Sequence, residues 1–278
     1  MKSNNPVLGR LMERSNQHAS FQRAPAQQPY GNAPYGSTPE YGQTAPAGFA
    51  PERTGRMTVD DVVMRTLGLL AVVGIVGGLS WALVPEDLGV SRLFLFGALG
   101  IVLVLGLIIS LKGITNPPLI IAYAAVEGVL VGVISRIYED LYAGIVLQAA
   151  TATFAVFFGM AALYKFRVIR ATPTFVKWVT GMTIGVVALM AVNLLLSVFN
   201  VNGGTGLGLR DGGPIAIIFS LICIGVASMN FIVDFKMIED GVNAGVEQRY
   251  AWLASFGILV GLIWLYLEIL RLLSYLRR

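Results

Sequence analysis

The stretch FIVDFKMIEDGV (Phe231–Val242) closes a long apolar run with Asp234, and LIWLYLEILRLL (Leu262–Leu273) holds Glu268 inside another. A third acid, Glu127, sits mid-run in AYAAVEGVLVGVIS (Ala122–Ser135). An ionised carboxylate in hydrocarbon is costly, so an acid retained there marks a functional site by default. Together these stretches predict an all-α integral membrane protein. It would be a seven-helix bundle with an acidic, proton-sensitive interior and a disordered N-terminal tail.

Composition agrees. Of 278 residues, 55% are hydrophobic and 13% charged, with mean hydropathy +0.71. Soluble domains carry about a quarter charged residues, so lipid is the expected solvent for most of this surface. The net charge of +4 does not point to nucleic acid, because Lys and Arg flank the apolar runs, where they orient spans and meet lipid headgroups. The single cysteine, Cys223, rules out an intrachain disulfide and a multi-Cys zinc site. The single histidine, His18, lies in the tail.

Residues 1–56 are rich in Gln, Pro, Gly, Ala and Tyr and repeat Pro29-Tyr30-Gly31, Pro34-Tyr35-Gly36 and Glu40-Tyr41-Gly42. So little aliphatic surface does not repay chain ordering, and disorder is expected. A solvated leader and a partner-binding segment are the two readings of the tyrosines. No charged-apolar-small signal peptide opens the sequence, so the run near Val62 is expected to direct insertion and remain.

Residues 57–278 form the expected membrane domain, with spans at about 61–84, 91–111, 117–138, 143–165, 174–199, 213–235 and 250–273. Each approaches the ~20 residues needed to cross the hydrocarbon. Pro85-Glu86-Asp87, Asn116-Pro117-Pro118, Glu139-Asp140, Thr172-Pro173 and the Gly-rich stretch Gly203–Pro214 separate them. Thr58 is a reasonable N-cap, with Asp60 and Asp61 on the positive end of the helix dipole.

With the tail inside, the inner face carries Arg53, Arg56, Arg65, Lys112, Lys165, Arg167, Arg170, Lys177, Lys236 and Arg249. The outer loops keep only Arg92, Arg136 and Arg210. That bias predicts a cytoplasmic N-terminus. Arg271, Arg277 and Arg278 then fall outside unless the last helix is re-entrant; a full crossing is the preferred reading. Gly74/Gly78, Gly128/Gly132, Gly181/Gly185 and Gly257/Gly261 are spaced for close helix contact. They read as seams within one bundle or as a dimer face, and the oligomeric state stays open.

Each acid has two readings. Asp234 shares a face with Asn230 and Ala227: a gate or ion ligand, or a carboxylate solvated at a helix end. Glu268 is an interior proton-exchanging acid, or the partner of Arg271 three residues on. Glu127, mid-span with no cation within a turn, is functional or a buried, hydrogen-bonded structural acid. Arg136 is placed to snorkel at the outer interface. Asn193 and Ser197 read as interhelical hydrogen-bonding groups rather than ion ligands. No phosphate-cradling loop, His-Glu-x-x-His or nucleophile–base pair is present, so no enzyme is expected, and no cofactor beyond transiently bound calcium.

The ordered string Asn5-Pro6-Val7, Met57–Val63, Ala122–Ser135, Tyr164–Pro173, Asp234–Val242 and Trp264–Leu273 resembles the Bax inhibitor family, in particular its bacterial YccA-like membrane proteins. The resemblance implies a seven-helix bundle with the last helix near its centre. It also implies a calcium-permeable, pH-sensitive leak, or a partner that restrains a membrane protease. By motif, Asp234 and Glu268 match the family's acids on the last two helices, with Glu replacing Asp in the Leu-Tyr-Leu-Asp pattern, and Glu127 resembles an earlier core acid. With a helix starting near Tyr250, Glu268 lies about 27 Å along it. The two late acids then meet only if residues 236–255 fold back.

The expected function is therefore a pH-sensitive cation leak or channel, with calcium the ion suited to carboxylate oxygens. Two carboxylates sharing a proton would close it, and their joint ionisation would open it. The alternative is a non-conducting regulator that binds a membrane protease or stress protein. A weaker third reading is a proton-coupled transporter.

Overall fold

In the computed structural model, residues 55–83 and 88–277 are described, without the side chains of residues 88–94. The expected disordered tail lies outside the described residues apart from Gly55 and Arg56. Seven helices follow: α1 (Val59–Leu83), α2 (Leu88–Lys112), α3 (Pro117–Leu141), α4 (Ile145–Lys165), α5 (Pro173–Val198), α6 (Pro214–Asn243) and α7 (Tyr250–Leu276). All seven are long and apolar enough to span a bilayer. Large apolar side chains such as Met64, Ile75, Leu107, Ile184 and Leu194 face outward, as lipid contact requires. This is an integral membrane protein.

Local chemistry sets the helix starts. The Thr58 hydroxyl accepts from Asp61 N at 3.1 Å, and Asp61 Oδ2 accepts from Thr58 N at 3.0 Å, a reciprocal cap on α1. Thr172 caps α5 through Phe175 N, with Pro173 next. Pro117 and Pro214 likewise open α3 and α6, where a missing N–H costs nothing. One boundary differs in consequence: α6 runs on to Asn243, eight residues beyond its expected end. Asp234 is thus inside a helix, not at its solvated terminus.

α7 is the central element, packed against α1, α3, α4 and α6. It crosses the whole bundle without a break. At its far end Arg277 donates to the carbonyl of Ala143 at 2.9 Å, in the turn between α3 and α4. The last helix is therefore not re-entrant. At the opposite end, residues 55–57 pair with the α6–α7 connection: Met57 N donates to Val246 O and Gln248 N to Gly55 O. These two ends are called the far end and the tail end below.

Only one of the expected glycine seams is a true backbone contact, and it uses a different residue of α1. A Cβ on Gly132 would stand 2.3 Å from Gly77 O, and one on Gly128 2.9 Å from Val73 O. Gly74, Gly78, Gly181, Gly185 and Gly257 have open space at that position, whereas Gly261 abuts the Phe231 ring. A four-residue spacing identifies a possible seam; the facing helix decides whether it is one. In lipid, this close approach of α1 to α3 supplies dispersion contacts that apolar burial alone does not.

Candidate functional site

Glu268 is the most completely enclosed acid, 1% exposed at the centre of the bundle. Ser220 of α6 donates to its Oε1 at 2.8 Å, and Arg271 donates to its Oε2 at 2.6 Å. The acid is buried in the bundle interior and is paired with Arg271. Around the pair stand Tyr138 of α3, Tyr275 of α7 and Cys223 of α6. Two residues before Glu268, Tyr266 shares a 2.6 Å hydrogen bond with Ser135 of α3. Arg210 approaches the cluster from the α5–α6 loop and is exposed to solvent. Desolvation pushes the Arg210 guanidinium below its ordinary pKa, and the like charge of Arg271 pushes it further, against the pull of Glu268.

Asp234 has a different setting. It is half-buried on α6, and no hydrogen bond or ion pair reaches its carboxylate from the described residues. Ser220 and Asp234 are separated by about 20 Å along α6 at ~1.5 Å per residue. Since Ser220 holds Glu268, the two late acids do not meet. Asn230, one turn before Asp234, bonds Thr183 of α5 at 2.8 Å and its own helix at Val226 O. It ties α6 to α5.

Glu127 is 5% exposed in the middle of α3. The Tyr123 hydroxyl, one turn earlier, donates to it, while Oε2 has no partner. Tyr123 in turn packs edge-on against Phe256 of α7. Among the described residues, no three His, Cys, Asp or Glu side chains converge as a metal site.

The sequence family described as Bax inhibitor 1 like matches residues 5–278. This chain belongs to that family. No curated protein in the comparison is significantly similar to it. As in the expectation drawn from the resemblance, this Bax inhibitor-like chain has seven helices with the last at the centre.

Residues 236–255 do not fold back, and the two late acids stay apart as the helix length implied. Across from Glu268, this Bax inhibitor-like protein places Ser220, with the counter-charge supplied by Arg271. Two other roles change. Asn193 does not bond a neighbouring helix: its Oδ1 accepts from Leu207 N at 2.8 Å and pins the α5–α6 loop, while Ser197 bonds its own helix at Asn193 O. Arg136 does more than snorkel, donating to Trp81 O at 2.9 Å and so tying α3 to the end of α1.

Ser220, Arg210 and Arg271 were not singled out from the sequence as site residues. One signal was available for Ser220: it continues the small and polar stripe Asp234, Ala227 by one further step of seven. Arg210 had none, since its approach depends on how the glycine-rich loop folds. That loop uses left-handed backbone at Gly203, Gly204, Gly206, Gly208 and Gly212.

Proposed function

We propose that this protein is a pH-sensitive cation leak whose gate is the Glu268–Arg271–Arg210 cluster. The observation that carries the reading is an ion pair enclosed at the centre of the bundle, with a second guanidinium above it. Ionised Glu268 satisfies Arg271 and draws in Arg210. Adding a proton removes the counter-charge and leaves Arg271 with the like charge of Arg210 nearby, and the two repel. The repulsion drives Arg210 and its loop outward. Acid therefore opens the path, the reverse of the response expected from two carboxylates sharing a proton. Glu127 and Asp234 lie at other depths along the bundle and supply cation affinity; calcium, an oxygen-seeking ion, is the candidate permeant. The Lys and Arg excess at the tail end supports an inward-facing N-terminus, and the resemblance to bacterial YccA-like proteins supports a bacterial plasma membrane.

The test is calcium flux into liposomes containing the purified protein, measured over a series of buffered pH values. Wild-type flux is expected to rise as pH falls. Glu268→Gln, which mimics the protonated acid, is expected to conduct at every pH. Folded, inserted protein that passes no more calcium than empty liposomes sinks the leak and leaves the non-conducting regulator as the reading.

A further inference from the structure

At the tail end, α1 and α4 stand apart, with α6 and α7 behind them, leaving a lateral cleft of about 830 Å³. Its floor is Phe235, Ile258 and Leu262, and its walls include Thr66 of α1 and Ala161 of α4. The interior is apolar; the mouth is basic. Lys165, Arg167 and Arg170 line it, all exposed and none paired with an acid among the described residues. The charges contributed by α6 are already engaged: Lys236 pairs with Asp240 at 2.5 Å, and Glu239 accepts from the Tyr164 hydroxyl.

Two further observations mark the cleft as a place for a ligand. Thr66 is 7% exposed and its Oγ1 has no hydrogen-bond partner. Elsewhere in the bundle, Ser80, Thr153 and Thr183 each donate to the carbonyl one turn back in their own helix. Thr66 does not, and a buried hydroxyl left unpaired calls for a partner the protein does not supply. It lies roughly 10 Å along α1 from Val59 at the mouth. The second observation is Arg167. It ends α4 in the left-handed region (φ 56°), with its N–H bonded to Tyr164 O and that of Val168 to Leu163 O. Glycine is the usual residue at this position of a helix-ending turn, because a side chain there is strained. Arg167 holds a guanidinium at the mouth in spite of that strain.

We propose that the cleft binds an anionic phospholipid. One acyl chain would fill the apolar interior, an ester oxygen would accept from Thr66, and the phosphate would sit among Lys165, Arg167 and Arg170. The occupant is a lipid rather than a peptide because the opening faces the bilayer sideways and the charge is confined to the headgroup level. The inference stands apart from the leak and does not need it.

The test is native mass spectrometry of the full chain released from vesicles containing equal amounts of phosphatidylglycerol and phosphatidylcholine. Wild-type protein is expected to retain phosphatidylglycerol in preference. Arg167→Gly relaxes the turn and removes one charge. It should lower that preference roughly fivefold, the contribution of one basic residue near an anionic surface, with an unchanged or higher unfolding temperature. Ala161→Phe should fill the cleft and abolish retention of both lipids. Equal retention of the two lipids by the wild type would overturn the proposal. So would an unaltered preference in Arg167→Gly, or a retained species of peptide mass.

Discussion

Glu268 and Asp234 are both acids in apolar helices, and the protein treats them oppositely. Glu268 is sealed from every side and fully compensated by Ser220 and Arg271. Asp234 keeps part of its surface open and has no partner among the described residues. The difference shows that the cost of an intramembrane acid can be met in two ways. One is a counter-charge with hydrogen bonds; the other is incomplete enclosure. The first makes the acid part of a lock between α6 and α7. The second leaves a carboxylate with one side open.

The sharpest break in this comparison comes from removing the counter-charge. Arg271→Met leaves Glu268 buried without compensation and should cost about 3–5 kcal/mol of stability. Cys223 gives a direct readout, because it is the sole cysteine, fully buried and beside Glu268. A thiol-reactive dye should reach it at a much lower temperature in Arg271→Met than in the wild type. Adding Glu268→Met to that variant should recover most of the loss, since replacing an entire buried pair by apolar groups is often neutral. Failure of the second substitution to recover it would mean that Arg271 acts through packing rather than charge.

A smaller effect is expected from Ser220→Ala. It removes one hydrogen bond to a carboxylate that Arg271 continues to hold, worth about 1–2 kcal/mol. The same dye assay measures it, and labelling of Cys223 at fixed pH should speed up modestly. An effect as large as that of Arg271→Met would move the lock from the ion pair to the α6–α7 contact.

The sequence made the seven spans legible because each requirement for crossing lipid is local: length, apolarity, Pro at helix starts and charge at the ends. It also made Glu268 legible, through its position in an apolar run and its spacing from Arg271. Its partner was less so. Asp234 matched the resemblance, yet Ser220 occupies the facing position, and only the antiparallel register of α6 on α7 reveals that. The glycine seam shows the same limit. Gly128 and Gly132 were visible as a pair, but Gly77 became their contact through the rotation of α1. The α1–α4 cleft was not legible at all, since it arises from two helices that fail to pack.

The smallest effect on stability should come from Asp234→Asn, and it bears most directly on the comparison. With no bond or ion pair to lose, the substitution should change stability by no more than about 0.5 kcal/mol, the usual range where no specific interaction is broken. Its effect should appear in transport instead. If Asp234 only attracts cations, Asp234→Asn lowers calcium flux in proportion at every pH, while the pH at half-maximal flux stays where the wild type has it. Glu268→Gln should do the converse, removing the pH dependence itself. A shifted midpoint in Asp234→Asn would place the proton sensor near the tail end, on Asp234. Parallel flux curves would keep the two acids in separate roles: one sets how readily a cation approaches, the other whether the path is open.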